Sequence, residues 1–420
     1  MLLPRMFRLR QRFDGPSVTD VAGEVERQLA QLRLNERVNP GESVAITAGS
    51  RGIANIPTIL KGTVDHFRRL GAVPFLVPAM GSHGGATAEG QLALLARYGI
   101  TPESVGCEIR SSMETVTVGT TPYGFPVHFD RNAYSADHVF VVNRVKPHTR
   151  FAGDIESGLH KMLLIGLGKF AGAQLYHRAI VDHSFDEILR AVAGHVLKTC
   201  RVVGGLAVVE NAYDETARIA SVRPEEFATR EAELLREARA LLPRLPFRDC
   251  DLLIIDEIGK DVSGAGMDTN IVGRKFDDKK ATDRDEANCK RIFVRGLTEA
   301  TGGNATGIGI ADFTNERTVA KIDRRATAVN CVTGSHPTAA AIPIAFPTDR
   351  ECVEAALLTL GLVDPPDAKV IHITNTLHLA ELWASERYVD EAAALPHVEV
   401  MSDPAPIRFD ETDNLLSADR

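Results

Sequence analysis

Two histidines and a lysine stand within one short stretch of this sequence. The stretch runs from Val145 to His177 and reads VKPHTRFAGDIESGLHKMLLIGLGKFAGAQLYH. Lys161 lies between His148 and His177, beside glycines and ahead of the apolar run MLLIGLG. Burial disfavours the charged form of a lysine, so such an amine can act as a nucleophile and hold a cofactor covalently. The alternative is a solvated lysine between two histidines that only pack.

Three more polar side chains follow predicted strands. Ser50 and Arg51 follow ESVAITAG, and His83 follows VPFLVPA within the glycine-rich run MGSHGGAT. In open α/β sheets, ligands bind beyond the carboxyl ends of the strands. Arg51 could therefore meet an anion such as a phosphate near the start of the next helix. His83 could act as a general acid or base, because imidazole titrates near neutrality. Loop residues without a ligand are the alternative for both.

His148 follows a third predicted strand, DHVFVVNRV, which we expect to lie beside the strand that precedes His83. The two imidazoles would then form an acid/base pair with one ring on each face of a substrate. Such a pair suits inversion at a carbon that bears a hydroxyl group.

A further group of polar residues follows the run CDLLIID in the C-terminal half. Lys260 lies just beyond that run, and the loop SGAGMDTN supplies Asp268 and Asn270. Lys260 could hold a substrate carboxylate as a point charge across a domain cleft. The alternative is a charged, solvated loop.

The elements that position these residues indicate an α/β fold. Apolar runs of strand length alternate with amphipathic helical patterns, which is typical of parallel sheets. The predicted strands are ESVAITAGS, VPFLVPAMG, DHVFVVNRV, VVGGLAVVE, CDLLIIDEIG and DAKVIHITN. The predicted helices are VTDVAGEVERQLAQL, IPTILKGTVDHFRRL, TAEGQLALLARYG, FDEILRAVAGHVLKT, PEEFATREAELLREARALL and RECVEAALLTL.

The chain is long enough for two domains. At 420 residues it exceeds the size at which one core usually keeps growing. The segment PRLPFRDCD, with two prolines ahead of a new apolar run, predicts the boundary. We expect an N-terminal cofactor-binding domain over residues 1–247 and a C-terminal α/β domain over 248–399, with the active site in the cleft between them. An open option is that residues 400–420 cross back and complete the first domain.

Composition excludes several classes of protein. With 44% hydrophobic and 25% charged residues the chain is an ordinary globular protein. A net charge of -8 argues against nucleic acid as a partner. The sequence has no signal-peptide pattern and no apolar stretch of membrane-spanning length, so we expect a cytoplasmic protein without a membrane partner. The six cysteines form no CxxC pair, which favours reduced thiols over a structural zinc site.

Several motifs together carry a family resemblance. They are GSRG, GSHGG, PHTRFAG, SGLHKMLLIGLG and GMDTN, with a histidine sixteen residues after the lysine. In this order and spacing the chain resembles the nickel-dependent lactate racemase family, which includes other racemases and epimerases of 2-hydroxy acids. The resemblance covers most of the chain, although no single motif is distinctive.

The resemblance implies a nickel-pincer nucleotide, a pyridinium-3,5-bisthiocarboxylic acid mononucleotide whose two sulfur arms and ring carbon bind nickel. Lys161 matches the lysine that carries this cofactor covalently. His177 matches the histidine that completes the nickel coordination, a role that imidazole suits. Arg51 matches an arginine for the cofactor phosphate or the substrate, and Ser50 and Gly166 are expected to lie beside the cofactor.

The resemblance also implies a reaction. His83 and His148 match the paired acid/base histidines, and Lys260, Asp268 and Asn270 match the substrate loop of the second domain. One histidine would remove the hydroxyl proton while the α-hydrogen moves as hydride to the cofactor, and the keto acid would receive hydride on its other face. The expected partners are a small 2-hydroxy acid and the enzymes that make the cofactor.

The chain departs from lactate racemases at two places. Thr47, Ala48 and Gly49 stand where those enzymes have an acidic residue ahead of the arginine. Glu156 and His160 add an acid and an imidazole to the segment before Lys161. The spacing from His148 to Lys161 is also longer than expected for the family. These differences favour a 2-hydroxy acid other than lactate.

Two other functions remain open. Gly166, Gly168 and Gly172 follow an apolar run and loosely match the dinucleotide fingerprint GxGxxG, with one residue too many. An NAD-dependent oxidoreductase of a hydroxy acid would follow, but the expected acidic residue, Asp186, falls in a helical pattern. The second option is a nucleotide-binding homologue that has kept the scaffold and lost turnover.

Overall fold

The structure is a computed structural model that describes residues 1–50 and 52–418. Its strands in chain order are β1 (Arg5–Gln11), β2 (Ser43–Ala48), β3 (Val73–Pro78), β4 (Thr115–Thr120), β5 (Pro126–Asp130), β6 (His138–Arg144), β7 (Val202–Glu210), β8 (Thr216–Val222), β9 (Asp249–Ile255), β10 (Asn288–Val294), β11 (Phe313–Asn315), β12 (Ile344–Phe346), β13 (Val370–Ile373), β14 (Glu381–Ser385), β15 (Val398–Val400) and β16 (Ala405–Pro406).

The α-helices in chain order are α1 (Val21–Gln31), α2 (Ile56–Arg69), α3 (Ala88–Arg97), α4 (Pro102–Val105), α5 (Arg131–Ser135), α6 (Gly158–Lys161), α7 (Lys169–Ala179), α8 (Phe185–Thr199), α9 (Phe227–Ala240), α10 (Thr269–Val272), α11 (Glu316–Lys321), α12 (Arg324–Thr333), α13 (Asp349–Leu358) and α14 (Val389–Ala394). A π-helical turn, Met162–Gly166, lies between α6 and α7. None of the helices in the described part of the chain is long and apolar enough to cross a membrane.

The chain divides into two compact units. Residues 15–242 form one unit, and residues 1–14 together with 243–420 form the other. We call them the N-terminal unit and the C-terminal unit. The units divide at 242/243, where the sequence placed the boundary at 247/248, and both chain ends belong to the C-terminal unit.

The N-terminal unit is built on a five-stranded sheet in the order β3-β2-β6-β7-β8. The first four strands are parallel, and β8 pairs antiparallel with β7. One apolar core packs α1, α2 and α3 on one face, and a second packs α6 to α9 on the other. Because both faces are covered, the central strands are apolar over nearly their whole length. The antiparallel hairpin β4-β5 forms a separate small sheet.

The C-terminal unit contains a mixed sheet in the order β12-β11-β10-β9-β13-β14-β1-β15, with β16 also paired to β1. Strands β9 to β13 pair in parallel, and β14, β1, β15 and β16 extend the sheet antiparallel. The N-terminal strand belongs here because its backbone groups pair with β14, where Phe7 stands opposite Ala384. Alternation of residues predicts a strand in such a segment, but it does not identify the pairing partner.

Buried charges fix the C-terminal tail to the same unit. Asp349 is fully buried and accepts hydrogen bonds from Arg295 at 2.9 Å and from the backbone N–H of Leu415 at 3.0 Å. Asp256 accepts one from the backbone N–H of Ala418 at 2.7 Å. Burial opposes ionisation of Asp256, but His372 and Arg295 outweigh it and lower its pKa to about 2. Residues 400–420, where they are described, therefore do not complete the N-terminal unit.

The predicted fold class, an α/β protein with mainly parallel sheets, is confirmed. All six predicted strands form, as β2, β3, β6, β7, β9 and β13, and the six predicted helices form as α1, α2, α3, α8, α9 and α13. The sequence missed β10, which reads NCKRIFV and lacks a continuous apolar run. It also missed the β4-β5 hairpin, β8, β14 and the short strands β11, β12, β15 and β16. The six cysteines are buried free thiols.

We predict that Phe7→Ala destabilises the C-terminal unit although the residue stands at the start of the chain. The ring is fully buried, and its loss should cost about 3–5 kcal/mol of unfolding free energy. Trp383, the only tryptophan, lies on β14 beside β1 and reports on this unit. Its fluorescence in urea should show a lower midpoint in Phe7→Ala. The control is Phe67→Ala, equally buried in the N-terminal unit; an equal shift in that variant would contradict the assignment.

Candidate active site

His83 stands in a glycine turn that directly follows β3. Gly81 and Gly84 have φ values of +58° and +67°, which favour glycine. A Cβ at Gly84 would also lie 2.6 Å from the backbone nitrogen of Gln91 in α3. The side-chain amide of Gln91 donates to the carbonyl oxygens of Gly81 and His83 at 3.0 and 3.3 Å. The turn is therefore fixed by its own backbone and by the helix that follows.

Ser50 lies at the exit of β2 and contacts the imidazole. Its Oγ is 2.5 Å from His83 Nδ1, and its carbonyl oxygen accepts a hydrogen bond from the Tyr98 hydroxyl at 3.2 Å. A hydroxyl can donate or accept, so Ser50 can pair with either tautomer of the histidine. The predicted anion ligand Arg51 lies outside the described residues.

His148 is held by the backbone of its own loop. Its Nδ1 accepts hydrogen bonds from the backbone N–H groups of Arg150 at 3.1 Å and Phe151 at 3.2 Å. A backbone N–H can only donate, so the neutral ring carries its proton on Nε2. The ring also stacks on Phe151, with 4.3 Å between centroids, and Phe151 stacks on Phe185 at 4.2 Å.

Glu156 organises this loop. The carboxylate is buried and accepts hydrogen bonds from the backbone N–H of His148 at 2.8 Å and from that of Gly153 at 3.2 Å. Arg239 of α9 donates to the same carboxylate at 2.8 Å. Glu156 thus has a structural role: it fixes the backbone at His148.

Lys161 ends the short helix α6, whose start is capped by another buried carboxylate. Glu231 of α9 accepts hydrogen bonds from the backbone N–H of Leu159 and, at 3.0 Å, from that of His160, and it also contacts His160 Nδ1. A carboxylate at this end also complements the helix dipole. Gly158 has a φ of +78°, and a Cβ there would overlap Glu231.

The apolar run after Lys161 forms the π-helical turn. The backbone N–H of Leu167 bonds to the carbonyl oxygen of Met162 at 2.8 Å, one residue further than in an α-helix. Such turns occur often at functional sites. A Cβ at Gly166 would lie 2.8 Å from the carbonyl oxygen of Ala79, so glycine lets the His83 turn pack directly on this segment.

His177 lies on α7 in the same region. Burial, together with the nearby charges of Lys161 and Arg150, lowers its pKa to about 4. The imidazole is therefore neutral at pH 7, the form that can bind a metal. The structure thus brings Lys161 and His177, sixteen residues apart in the chain, close enough to interact electrostatically.

The two acid/base candidates, His83 and His148, follow strands that end at the same side of one sheet. His83 follows β3 and His148 follows β6, and both strands run in the direction of β2. The expectation that these strands are neighbours is wrong, because β2 lies between them. Two strand spacings, about 10 Å, therefore separate the strand ends, and Ser50 stands at the end of the middle strand.

The dinucleotide fingerprint lacks its structural context. A GxGxxG loop follows a strand and opens a helix. Here the apolar run before the glycines is the π-helical turn, and Gly172 lies within α7. The segment therefore contains no strand-to-helix turn for a pyrophosphate.

The other predicted substrate residues lie in the C-terminal unit. Asp268 is buried and caps α10, where it accepts hydrogen bonds from the backbone and the side-chain amide of Asn270 at 3.0 and 2.8 Å. Lys260 donates to the carbonyl oxygen of Gly264 at 2.8 Å. Asp268 and Asn270 thus form a local turn, and their role toward a substrate stays a prediction.

Sequence reasoning missed Glu231 and Gln91. Glu231 lies on the buried face of α9 with Phe227 and Leu234, and Gln91 shares the buried face of α3 with Leu95. A polar residue on the apolar stripe of an amphipathic helix was the available signal. Within residues 1–50 and 52–418, no three His, Cys, Asp or Glu side chains cluster so as to hold a metal ion.

Comparison with known proteins agrees with this architecture. Residues 13–187 match the family model of the lactate racemase N-terminal domain. The structure is similar to that of the lactate racemase apoprotein from Thermoanaerobacterium thermosaccharolyticum, with a TM-score of 0.53 and 14% sequence identity over 88% of this chain and 94% of that chain. A Thermotoga maritima protein also matches, with a TM-score of 0.49 and 14% identity over 68% of this chain and 72% of that chain. No curated protein sequence matches the chain.

The structure is that of an α/β protein with mainly parallel sheets. The segment matched by the family model contains His83, His148, Lys161 and His177. Residues 13–187 are thus similar to the lactate racemase N-terminal domain, and the fold is similar to that of the lactate racemase apoprotein.

We predict that Gly84→Ala disrupts the His83 turn and that Gly85→Ala does not. Both glycines have a φ of +67°, so alanine should strain either backbone by about 1–2 kcal/mol. Only at Gly84 does the added Cβ also meet the chain, whereas at Gly85 nothing lies within 4 Å. Urea unfolding should show a further loss of about 2 kcal/mol for Gly84→Ala. Equal losses in the two variants would contradict the close packing.

We also predict the tautomer of His148. In ¹⁵N spectra of the neutral rings, Nδ1 of His148 should appear as an unprotonated acceptor and Nε2 as protonated. His66 provides the opposite pattern in the same sample, because its Nδ1 lies 3.3 Å from Glu26 and should carry the proton. Loss of signals in His148→Gln and His66→Gln assigns them. A proton on Nδ1 of His148 would contradict the two backbone hydrogen bonds.

Proposed function

We propose that the protein is a racemase or epimerase of a 2-hydroxy acid that uses a nickel-pincer nucleotide and paired histidine acid/base catalysis. The observation that carries this proposal is that Lys161 and the neutral imidazole of His177 lie close enough to interact electrostatically. An amine and a neutral imidazole in one partly buried region can supply a covalent tether and a metal ligand.

The residues of the N-terminal unit fit such a cofactor. Lys161 is half-buried at the end of a helix whose start is held by Glu231. The neutral imidazole of His177 needs no deprotonation before it binds nickel. A pincer ligand brings its own sulfur and carbon donors, so a single protein ligand is sufficient. Ser50 and Gly166 line the same region in this proposal, and Arg51 would bind the phosphate or the substrate.

His83 and His148 begin the reaction as neutral rings in different tautomers. Ser50 can accept a hydrogen bond from Nδ1–H of His83, which leaves Nε2 unprotonated and able to take the hydroxyl proton. His148 presents a protonated Nε2 that can donate to the substrate oxygen. The bound cofactor would accept the α-hydrogen as hydride and return it.

The substrate is expected to be a 2-hydroxy acid other than lactate. Thr47, Ala48 and Gly49 replace the acidic residue that lactate racemases carry there. Lys260, Asp268 and Asn270 are proposed to contact the substrate from the C-terminal unit, with Lys260 binding its carboxylate.

Mass spectrometry tests the tether and the metal ligand separately. The chain is expressed with nickel and the cofactor-making enzymes, and intact mass and nickel content are measured. Lys161→Ala should abolish the covalent adduct, and His177→Ala should keep the adduct but lose at least half of the nickel. Lys198→Ala, an exposed lysine on α8, should behave like the wild type. An unmodified and nickel-free wild-type chain would refute the proposal of a tethered cofactor.

A racemisation screen over 2-hydroxy acids tests the reaction. His83→Ala and His148→Ala should each lower kcat by about 100- to 10,000-fold, the usual range for a lost general acid or base. Their adduct mass and nickel content should stay at the wild-type level. Full activity in both variants would refute the paired acid/base roles, and NAD reduction by the wild type would instead favour an oxidoreductase.

A further inference from the structure

Lys169 is a buried lysine that the proposed reaction does not use. Its side chain is fully buried, and its Nζ donates to the carbonyl oxygen of Pro78 at 2.8 Å and to Gln91 Oε1 at 2.9 Å. Asp130 Oδ2, also fully buried, lies 3.4 Å away. The ammonium group therefore lies at the end of β3 and contacts Gln91, which bonds to the turn that carries His83.

Gln91 links the ammonium group of Lys169 to the His83 turn through hydrogen bonds. A lysine can only donate, so the Lys169 contact fixes Oε1 of the amide toward the ammonium group. The amide nitrogen then faces the turn and donates to the carbonyl oxygens of Gly81 and His83 at 3.0 and 3.3 Å. Gln91 thus holds the backbone of His83, and Ser50 contacts its ring.

This arrangement is unfavourable for stability alone. Lys169 has a φ of +54°, a strained conformation for a residue with a side chain. Burial lowers the pKa of Lys169 and raises the pKa of Asp130, so burial works against both charges. Replacing a buried ion pair by apolar residues of similar size is often neutral or stabilising. The pair therefore calls for a role beyond holding the core together.

In the sequence, Lys169 is midway between Lys161 and His177, the proposed cofactor tether and metal ligand. Lys161 lies eight residues before it and His177 eight residues after it. We propose that Lys169 and Gln91 are positioning residues that hold His83 in a fixed place relative to the segment of Lys161 and His177. The effect on turnover rests on the proposed function, whereas the position of His83 does not.

Three variants test separately the contact of Lys169 with Gln91 and the contact of Gln91 with the His83 turn. Gln91→Glu keeps an acceptor for Lys169 but loses both N–H donors to the turn. Gln91→Met and Lys169→Met remove the contact from either end with similar volume. Thr63→Val is the control: Thr63 is buried in the same unit and bonds to the carbonyl oxygen of Ile59 at 2.8 Å, within α2.

The first measurement uses the chain without cofactor. Histidine ring ¹⁵N spectra, with the His83 signals assigned from their loss in His83→Gln, should show shifted or broadened His83 signals in all three variants. The His148 signals and the Thr63→Val spectrum should be unchanged. If Lys169→Met does not fold, the two Gln91 variants still decide the outcome. Unchanged His83 signals in folded Gln91→Glu and Gln91→Met would overturn the proposal.

The second measurement uses the cofactor-loaded enzyme. The folded variants should lose about 10- to 100-fold in kcat, as expected for a misplaced catalytic group, with KM changed less than about threefold. Adduct mass and nickel content should match the wild type. A fall in kcat no larger than that of Thr63→Val would refute the effect on turnover. A wild type without racemase activity would refute the proposed function, while the spectra would still decide the position of His83.

Discussion

The contact between two glycines determines how the candidate site is assembled. Gly81 in the His83 turn and Gly166 in the Lys161 segment meet without side chains, and the backbone N–H of Gly81 lies 3.4 Å from the carbonyl oxygen of Gly166. A Cβ at Gly81 would lie 2.9 Å from the Ile165 side chain. Because interiors are close-packed, any added atom would push these segments apart. This contact therefore keeps the His83 turn packed against the segment that follows Lys161.

Buried carboxylates hold the backbone around the site. Glu156 fixes the loop of His148, and Glu231 caps the helix of Lys161, and both accept main-chain N–H groups. Both carboxylates therefore have a structural role around the site. The tautomer of His148 follows from the same loop geometry.

The sequence predicted the fold where the pattern is local. Buried parallel strands such as β2 and β6 contain continuous apolar runs, and α8 begins at a capping box of Ser184 and Glu187, so each can be identified from its own residues. Strand β1 needs β14 as its partner, some 370 residues later in the chain. The order of strands also escaped prediction: β2 separates β3 from β6, a consequence of crossover connections that no local pattern encodes.

By itself the sequence determined the chemistry available: two imidazoles after strand ends, a lysine before an apolar run and a histidine sixteen residues later. Those depend on residue type and spacing alone. The tertiary structure decided which groups interact. It places the Ser50 hydroxyl against the His83 ring and Lys161 near His177. It also makes Glu156 an acceptor for the backbone N–H of His148. These outcomes depend on where distant segments pack, because burial and hydrogen-bond geometry are properties of neighbours in space.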